Sequence, residues 1–206
     1  MTYDVENDPY IDKDTKILRN IFGLADQKAL DEVEFSITST EIAILEEYII
    51  DGGFDLDHLC RIHKQIFGQL YDWAGEIRTV DMAKDKTRFA HAEHIVAYAS
   101  DLFTQLEQEK YLKGLVEGDF IERFSHYYSE VNILHPFREG NGRTQRAFFT
   151  LLARYNGYHV AWDQMNQNDN IAASIAAYNG DEGPLIEILY PLLEWVHEEY
   201  WNIHPH

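Results

Sequence analysis

"NILHPFREGNGRTQRAFF", residues 132–149, joins the end of one apolar-periodic run to the start of another through a loop rich in glycine and charge. Upstream, "FIERFSHYYSEVNIL" places Ile121, Phe124, Val131 and Leu134 at helical spacing. That helix must stop near His135, because the residue before a proline is biased out of the helical region. Phe137 then reads as an apolar anchor that holds the loop against the core. Gly140 and Gly142 free the backbone to turn its N–H groups toward one point, just where "RTQRAFFTLLARYNG" opens a second helix. A glycine-rich entry into a helix is an anion site, since unpaired amides and the positive end of the helix dipole converge there.

Arg143 and Arg146 lie three apart on the first turn of this helix, so both guanidinium groups can reach back and clamp the outer phosphates of a nucleotide. Glu139, beside the glycines, would repel those phosphates unless a cation lay between; Mg²⁺ shared by Glu139 and phosphate oxygens removes the conflict. His135 at the rim is the candidate general base, because an imidazole near neutral pH can accept a proton from an attacking hydroxyl. The loop is not the G-x-G-x-x-G fingerprint, which follows a strand, nor a Walker A loop, which ends in Gly-Lys-Ser/Thr. A plainer reading is a helix-capping loop with surface arginines, but base, acid, glycines and arginines meeting at one point favour a nucleotide site.

The rest of the chain narrows the alternatives. Its 206 residues, 45% hydrophobic, can bury a substantial core, and no repeat, low-complexity tract or linker marks a boundary, so residues 1–206 read as one domain. With 17 Lys and Arg against 36 Asp and Glu, the formal net charge of -19 disfavours direct nucleic acid binding through a basic face. Arginines in direct contact can still hold one nucleotide, since the distant acidic charges are screened. The single Cys60 excludes an intrachain disulfide framework and points to a reducing compartment, by default the cytoplasm. No apolar run of spanning length occurs, so no membrane association is expected.

Further helices are expected at "DLDHLCRIHKQIFGQL", "IVAYASDLFTQLEQEKYL", "NIAASIAAYN" and "PLIEILYPLLEWVHEEYW". The terminal "EWVHEEYWNIH" reads as an amphipathic packing helix, its glutamates arguing against a membrane anchor. One β element is expected, in "EIRTVDMAKDKTRFAH", where Arg78, Val80 and Met82 alternate with polar positions before a turn. The fold class is thus all-α, a helical bundle with a small β-hairpin flap at about residues 76–91, preceded by an N-terminal arm at about 1–15. An exposed hairpin beside a catalytic helix is a docking edge for an extended partner segment. His91 and His94 could share a helical face, and Cys60 and His63 stand three apart. Surface histidines and a helix-packing cysteine are the better readings, since neither pair has a third ligand or an electropositive pocket.

"HPFREGNGRTQR" resembles the signature of the Fic domain family, His-Pro-Phe-x-(Asp/Glu)-Gly-Asn-Gly-Arg-x-x-Arg, with every specified position matched. The resemblance extends less specifically to "NDPY", "LYDWAGEIRTVD" and "RFAH", and so to nearly the whole chain. It implies a helical Fic fold that transfers AMP from ATP, with Mg²⁺, to a Tyr, Thr or Ser hydroxyl of a target protein, releasing pyrophosphate. In that mapping His135 deprotonates the hydroxyl, Glu139 holds Mg²⁺, and Gly140, Asn141 and Gly142 bind phosphate oxygens. Arg143 and Arg146 grip the β and γ phosphates, and residues 135–156 form the signature loop and helix. Thr87, Arg88 and Phe89 are candidates for target docking on the flap, and Tyr178 and Asn179 for the adenine pocket. An ordinary helix end at Asn179-Gly180 explains the latter pair equally well. The role of Arg138 stays open.

Relatives of this kind are inhibited by a helix of pattern (Ser/Thr)-x-x-x-Glu-(Gly/Asn), carried in the chain or on a small antitoxin. The one match in this chain is Thr2-Glu6-Asn7, which runs into "NDPY" and leaves too few residues for a stable helical turn. The resemblance therefore implies a toxin held by a small antitoxin, with a type II topoisomerase subunit as a possible target. The rivals are transfer of phosphate, UMP or phosphocholine, de-AMPylation, or a nucleotide-binding adaptor without turnover. His135 speaks against the adaptor, since phosphate binding alone needs no base.

Overall fold

The computed structural model describes residues 8–48, 50–84 and 87–196. Side-chain caps set where its first helices start. Asp26 accepts from the Ala29 N–H at 2.9 Å and opens α1 (Gln27–Glu47); Asp55 accepts from the His58 N–H at 2.7 Å and opens α2 (Leu56–Phe67). The helical body is completed by α3 (Ile95–Gln108), α4 (Glu117–Leu134), α5 (Asn141–Tyr155), α6 (Gln167–Tyr178) and α7 (Gly183–Leu189). Between α2 and α3 a short antiparallel hairpin pairs β1 (Ala83–Lys84) with β2 (Thr87–Arg88). The all-α architecture with a hairpin flap is the one expected, but the paired strands begin at Ala83, after the Arg78, Val80, Met82 alternation, which is not itself a strand.

The core lies where α2, α4 and α5 meet. Ile62, Ile66 and Phe67 of α2, Phe124 of α4 and Phe148, Phe149 and Leu152 of α5 are all fully buried. Each such side chain contributes about 1.5–3 kcal/mol relative to exposure. The flanks are α1 against α2, α3 against α4, and the α6–α7 pair against α4. Among the described residues no helix is long and apolar enough to cross a membrane.

Two expectations are corrected. The helix expected across residues 184–201 ends at Leu189, because Pro191 has no N–H to donate and its ring clashes with the preceding turn. Tyr190–Leu192 form a 3-10 turn, and the chain then extends as β4 (Leu193–Trp195), antiparallel to β3 (Tyr158–Val160). So the flap is not the only β element, and the start of the supposed terminal packing helix is a strand. From residue 197 onward that segment lies outside the described residues, as do Thr2, Glu6 and Asn7.

Periodicity gives no hint of α1. Of its four buried positions, Leu30, Thr38, Glu41 and Leu45, two are polar, so no apolar stripe marks the helix. Thr38 and Thr40 return their hydroxyls to the carbonyls of Glu34 and Ser36, at 2.8 and 3.0 Å, and so stay within the helical ladder.

The described part of the N-terminal arm is tied to the signature loop. Asp8 accepts from Arg138 Nε at 2.5 Å, with both side chains at most 5% exposed. Tyr10 packs edge-on against Trp73, and its hydroxyl accepts from the Thr79 N–H at 3.1 Å. Removing one partner of a buried ion pair is strongly destabilising. The expected result for Asp8→Ala is a loss of about 3–5 kcal/mol in urea unfolding. Glu32→Ala, which removes an exposed pair with Lys28, should cost under about 1 kcal/mol.

Candidate active site

The signature loop runs between two left-handed residues. His135 caps α4 at φ 43°, ψ 60°, while its N–H still donates to Val131 C=O at 3.1 Å. Gly140 precedes α5 at φ 81°, and a Cβ there would lie 2.3 Å from the Phe67 ring, so this position requires glycine for both conformation and space. Asn141 closes the loop on itself: its Oδ1 accepts from the Phe137 N–H at 2.9 Å and its Nδ2 donates to Phe137 C=O at 2.6 Å. What Asn141 offers an anion is therefore its backbone amide. No side chain caps α5, and the first ladder bond is Thr144 N–H to Gly140 C=O at 3.0 Å. The amides of residues 141–143 stand ahead of that ladder at the positive end of the helix dipole.

The loop is held from below by His63. Its imidazole stacks on Phe137, centroids 3.9 Å apart at 15°, and on Phe67 at 4.7 Å. Gly75 N–H donates to Nδ1 at 2.7 Å, so the proton sits on Nε2, which donates to Glu139 C=O at 3.0 Å. Burial, reinforced by the charges of Arg143 and Lys64 and opposed by the Glu139 carbonyl, pushes His63 down to about 4. Cys60, on the same helix, is pushed up to about 11 by burial and nearby carboxylates, which leaves it a packing thiol.

The motif arginines differ in their surroundings. Arg143 reaches α1, donating from Nη2 to Glu34 at 2.5 Å and from Nη1 to Thr38 at 3.1 Å, and its guanidinium lies 4.7 Å from the centroid of the Phe67 ring. Glu34 also accepts from the Tyr71 hydroxyl at 2.5 Å. The Arg146 side chain folds back over the helix start, where a Cβ on Gly142 would stand 3.5 Å from its Nη1. The buried Tyr128 stands beside Arg146 and Asn170, and Trp162 stacks on its ring, centroids 5.7 Å apart. Glu139, about a third exposed, accepts from the Gly140 N–H at 2.9 Å and lies 3.8 Å from Arg143. Among the described residues no three His, Cys, Asp or Glu gather as a cage. One partly exposed carboxylate beside uncapped amides fits Mg²⁺, which takes one or two protein carboxylates and completes its shell with phosphate and water.

The His135 ring is oriented by its own helix and by the flap. Nδ1 lies 3.3 Å from Asn132 C=O, which can only accept, so Nδ1 carries the proton and Nε2 keeps the basic lone pair. Phe89 of the flap is buried and stacks on this ring, centroids 3.7 Å apart at 11°. Arg88 is exposed, and Thr87 pairs with Lys84 in the hairpin ladder. His91 Nδ1 lies 2.8 Å from Asp81, across the base of the flap. Tyr178 stands exposed at the end of α6, while Asn179 Nδ2 donates back to Ile175 C=O at 2.7 Å and Gly180 turns left-handed at φ 93°. The supports that sequence reasoning missed are Asp8, Glu34, Thr38, Arg78 and the role of His63. His63 interrupts the apolar face of α2, and Asp8 and Arg78 fall in "NDPY" and "LYDWAGEIRTVD", but Glu34 and Thr38 carried no local signal. Because its pKa is depressed on folding, its contribution is complete above pH 6.5 and lost as pH falls toward 4. Urea titrations should show the stability advantage of the wild type over His63→Gln shrinking by roughly 3 kcal/mol across that window.

Residues 53–153 match the Fic/DOC family model. The chain is 40% identical over 155 residues to a probable protein adenylyltransferase Fic of Salmonella typhimurium, which covers 75% of this chain and 76% of that protein. Protein adenylyltransferase VbhT of Bartonella schoenbuchensis is 44% identical over 179 residues, 87% of this chain; the chain spans only 37% of VbhT. The structure of BepC from Bartonella tribocorum, solved with AMPPNP bound, superimposes with a TM-score of 0.86 at 25% identity, covering 92% of this chain and 98% of that one. Matched across the signature loop and over most of a full-length relative, the chain belongs to the Fic/DOC family.

Proposed function

We propose that this chain is a Mg²⁺-dependent protein adenylyltransferase that moves AMP from ATP onto a Tyr, Thr or Ser hydroxyl of a target protein. The observation that carries the reading is the His135 imidazole, its Nδ1 proton turned to the Asn132 carbonyl, in the same short loop as the uncapped start of α5. Proteins similar to this chain are named protein adenylyltransferases, and one similar structure holds AMPPNP.

In this reading the amides of residues 141–143 and the Arg146 guanidinium take the outer phosphates, and Arg143 supports them from its place between Glu34 and Thr38. Glu139 is the residue that would hold Mg²⁺. When bound, the ion offsets the charge that a carboxylate and a triphosphate would otherwise set against each other. His135 Nε2 accepts the proton as the target hydroxyl oxygen bonds to the α phosphorus. The bond to the bridging oxygen breaks, and pyrophosphate leaves. Exposed flap residues such as Arg88 would meet the target segment, and Tyr178 and Asn179 are proposed to border the adenine.

Control by a small inhibitory partner is part of the same proposal. Ile42, Leu45, Ala147, Leu151 and Trp162 line a cavity of about 140 Å³ whose polar lining includes Arg143, Arg146 and Glu46. Apolar walls ending at two arginines suit an amphipathic helix that carries one carboxylate. The test uses bacterial lysate, Mg²⁺, and ATP labelled at the α or the γ phosphate. Protein bands should take label from α-labelled ATP only, and His135→Ala should lower that label by about 10²–10⁴-fold. Label entering from γ-labelled ATP would replace this reading with phosphate transfer.

A further inference from the structure

Arg78 is 2% exposed, and its guanidinium donates to backbone carbonyls from three places in the chain. Nε donates to His135 C=O at 2.8 Å, Nη1 to Val80 C=O at 2.6 Å, and Nη2 to Ala90 C=O at 2.5 Å. Val80 and Ala90 are the two ends of the flap, and His135 closes α4. Two main-chain bonds run beside this clamp: Arg78 N–H donates to Pro136 C=O at 2.9 Å, and Ala90 N–H to Ile133 C=O at 3.0 Å. The cation sits where the last carbonyls of α4 concentrate negative potential, so its burial there is favoured.

The flap cannot set its own position. Among the described residues its ladder holds the pairs Ala83↔Arg88 and Lys84↔Thr87, extended by one bond from Phe89 N–H to Met82 C=O at 3.2 Å, too few to be stable alone. Yet Phe89 rests flat on the His135 imidazole at 3.7 Å, so any shift of the flap ends moves the ring that packs against the base. Arginine suits the task because its rigid planar fork can serve three acceptors at once, whereas a lysine ammonium on a flexible stem cannot reproduce their spacing.

We propose that Arg78 is a positioning residue for the transfer reaction: by clamping Val80, Ala90 and His135 together, it sets where a hydroxyl carried along the flap meets the His135 imidazole. This inference rests on the adenylyl-transfer reading.

The wild-type chain, Arg78→Lys and Arg78→Gln would be compared in three measurements: calorimetric titration with MgATP, transfer of α-labelled AMP into lysate protein, and amide hydrogen exchange. ATP affinity should be unchanged in Arg78→Lys. Transfer at saturating ATP should fall by about 10²-fold, the loss expected from a misplacement near 1 Å. Exchange should accelerate at the Phe89 and Ala90 amides but not at Phe148 and Phe149 in α5. Unchanged transfer would overturn the proposal. So would a joint loss of ATP binding and transfer, or global loss of protection in both variants, which would make Arg78 a structural residue only. A wild type that binds ATP but labels no protein would count against the transfer reading, while selective flap exchange in the variants would still support the clamp.

Discussion

The His63 imidazole lies flat against Phe137, and each of its nitrogens is bonded to backbone: Nδ1 to the Gly75 N–H, and Nε2 to the Glu139 carbonyl. This contact fixes the floor of the signature loop. Phe137 in turn is bonded through its own N–H and C=O to Asn141, so the loop between the two left-handed residues His135 and Gly140 cannot relax without breaking into the core. The arrangement works only while His63 is neutral, because a proton on Nδ1 would expel the Gly75 N–H. Burial keeps it neutral across the physiological range. Preorganisation of the amides at the start of α5 thus rests on His63, from beneath the loop.

Four arginines in and around the signature loop differ in their environments. Arg138 is buried against Asp8 and ties the arm to the loop. Arg78 is buried among carbonyls at the end of α4. Arg143 is tethered to Glu34 and Thr38 on α1, so its position is set before any ligand arrives. Arg146 lies over the start of α5 beside the buried Tyr128 hydroxyl. The formal charge of -19 is therefore a poor guide to the potential at the loop, where amides, helix dipole and guanidinium groups share one side.

Much of this was legible in the sequence, and the limits have physical causes. The apolar faces of α2, α4 and α5 repeat at helical spacing, and His-Pro followed by Gly-Asn-Gly marks a turn between two of them. Those signals are local. Helix α1 hides because Thr38 and Glu41 occupy core-facing positions where periodicity expects apolar residues. The β3–β4 pair hides because its strands are short and far apart in the chain, and only Pro191 warns that the last helix must end early. Asp8 and Glu34 lie 130 and 109 positions from the arginines they hold, a distance across which no single-sequence pattern speaks.

In the proposed reading the start of α5 is a phosphate seat with His135 as the base at its edge. A crystal structure with Mg²⁺ and a non-hydrolysable ATP analogue tests it most directly. The phosphates should lie over the amides of residues 141–143, the outermost against Arg146, with the α phosphorus on the side of the loop where His135 Nε2 lies. Phosphates bound elsewhere, or a nucleotide whose γ phosphorus faces His135 instead, would contradict it.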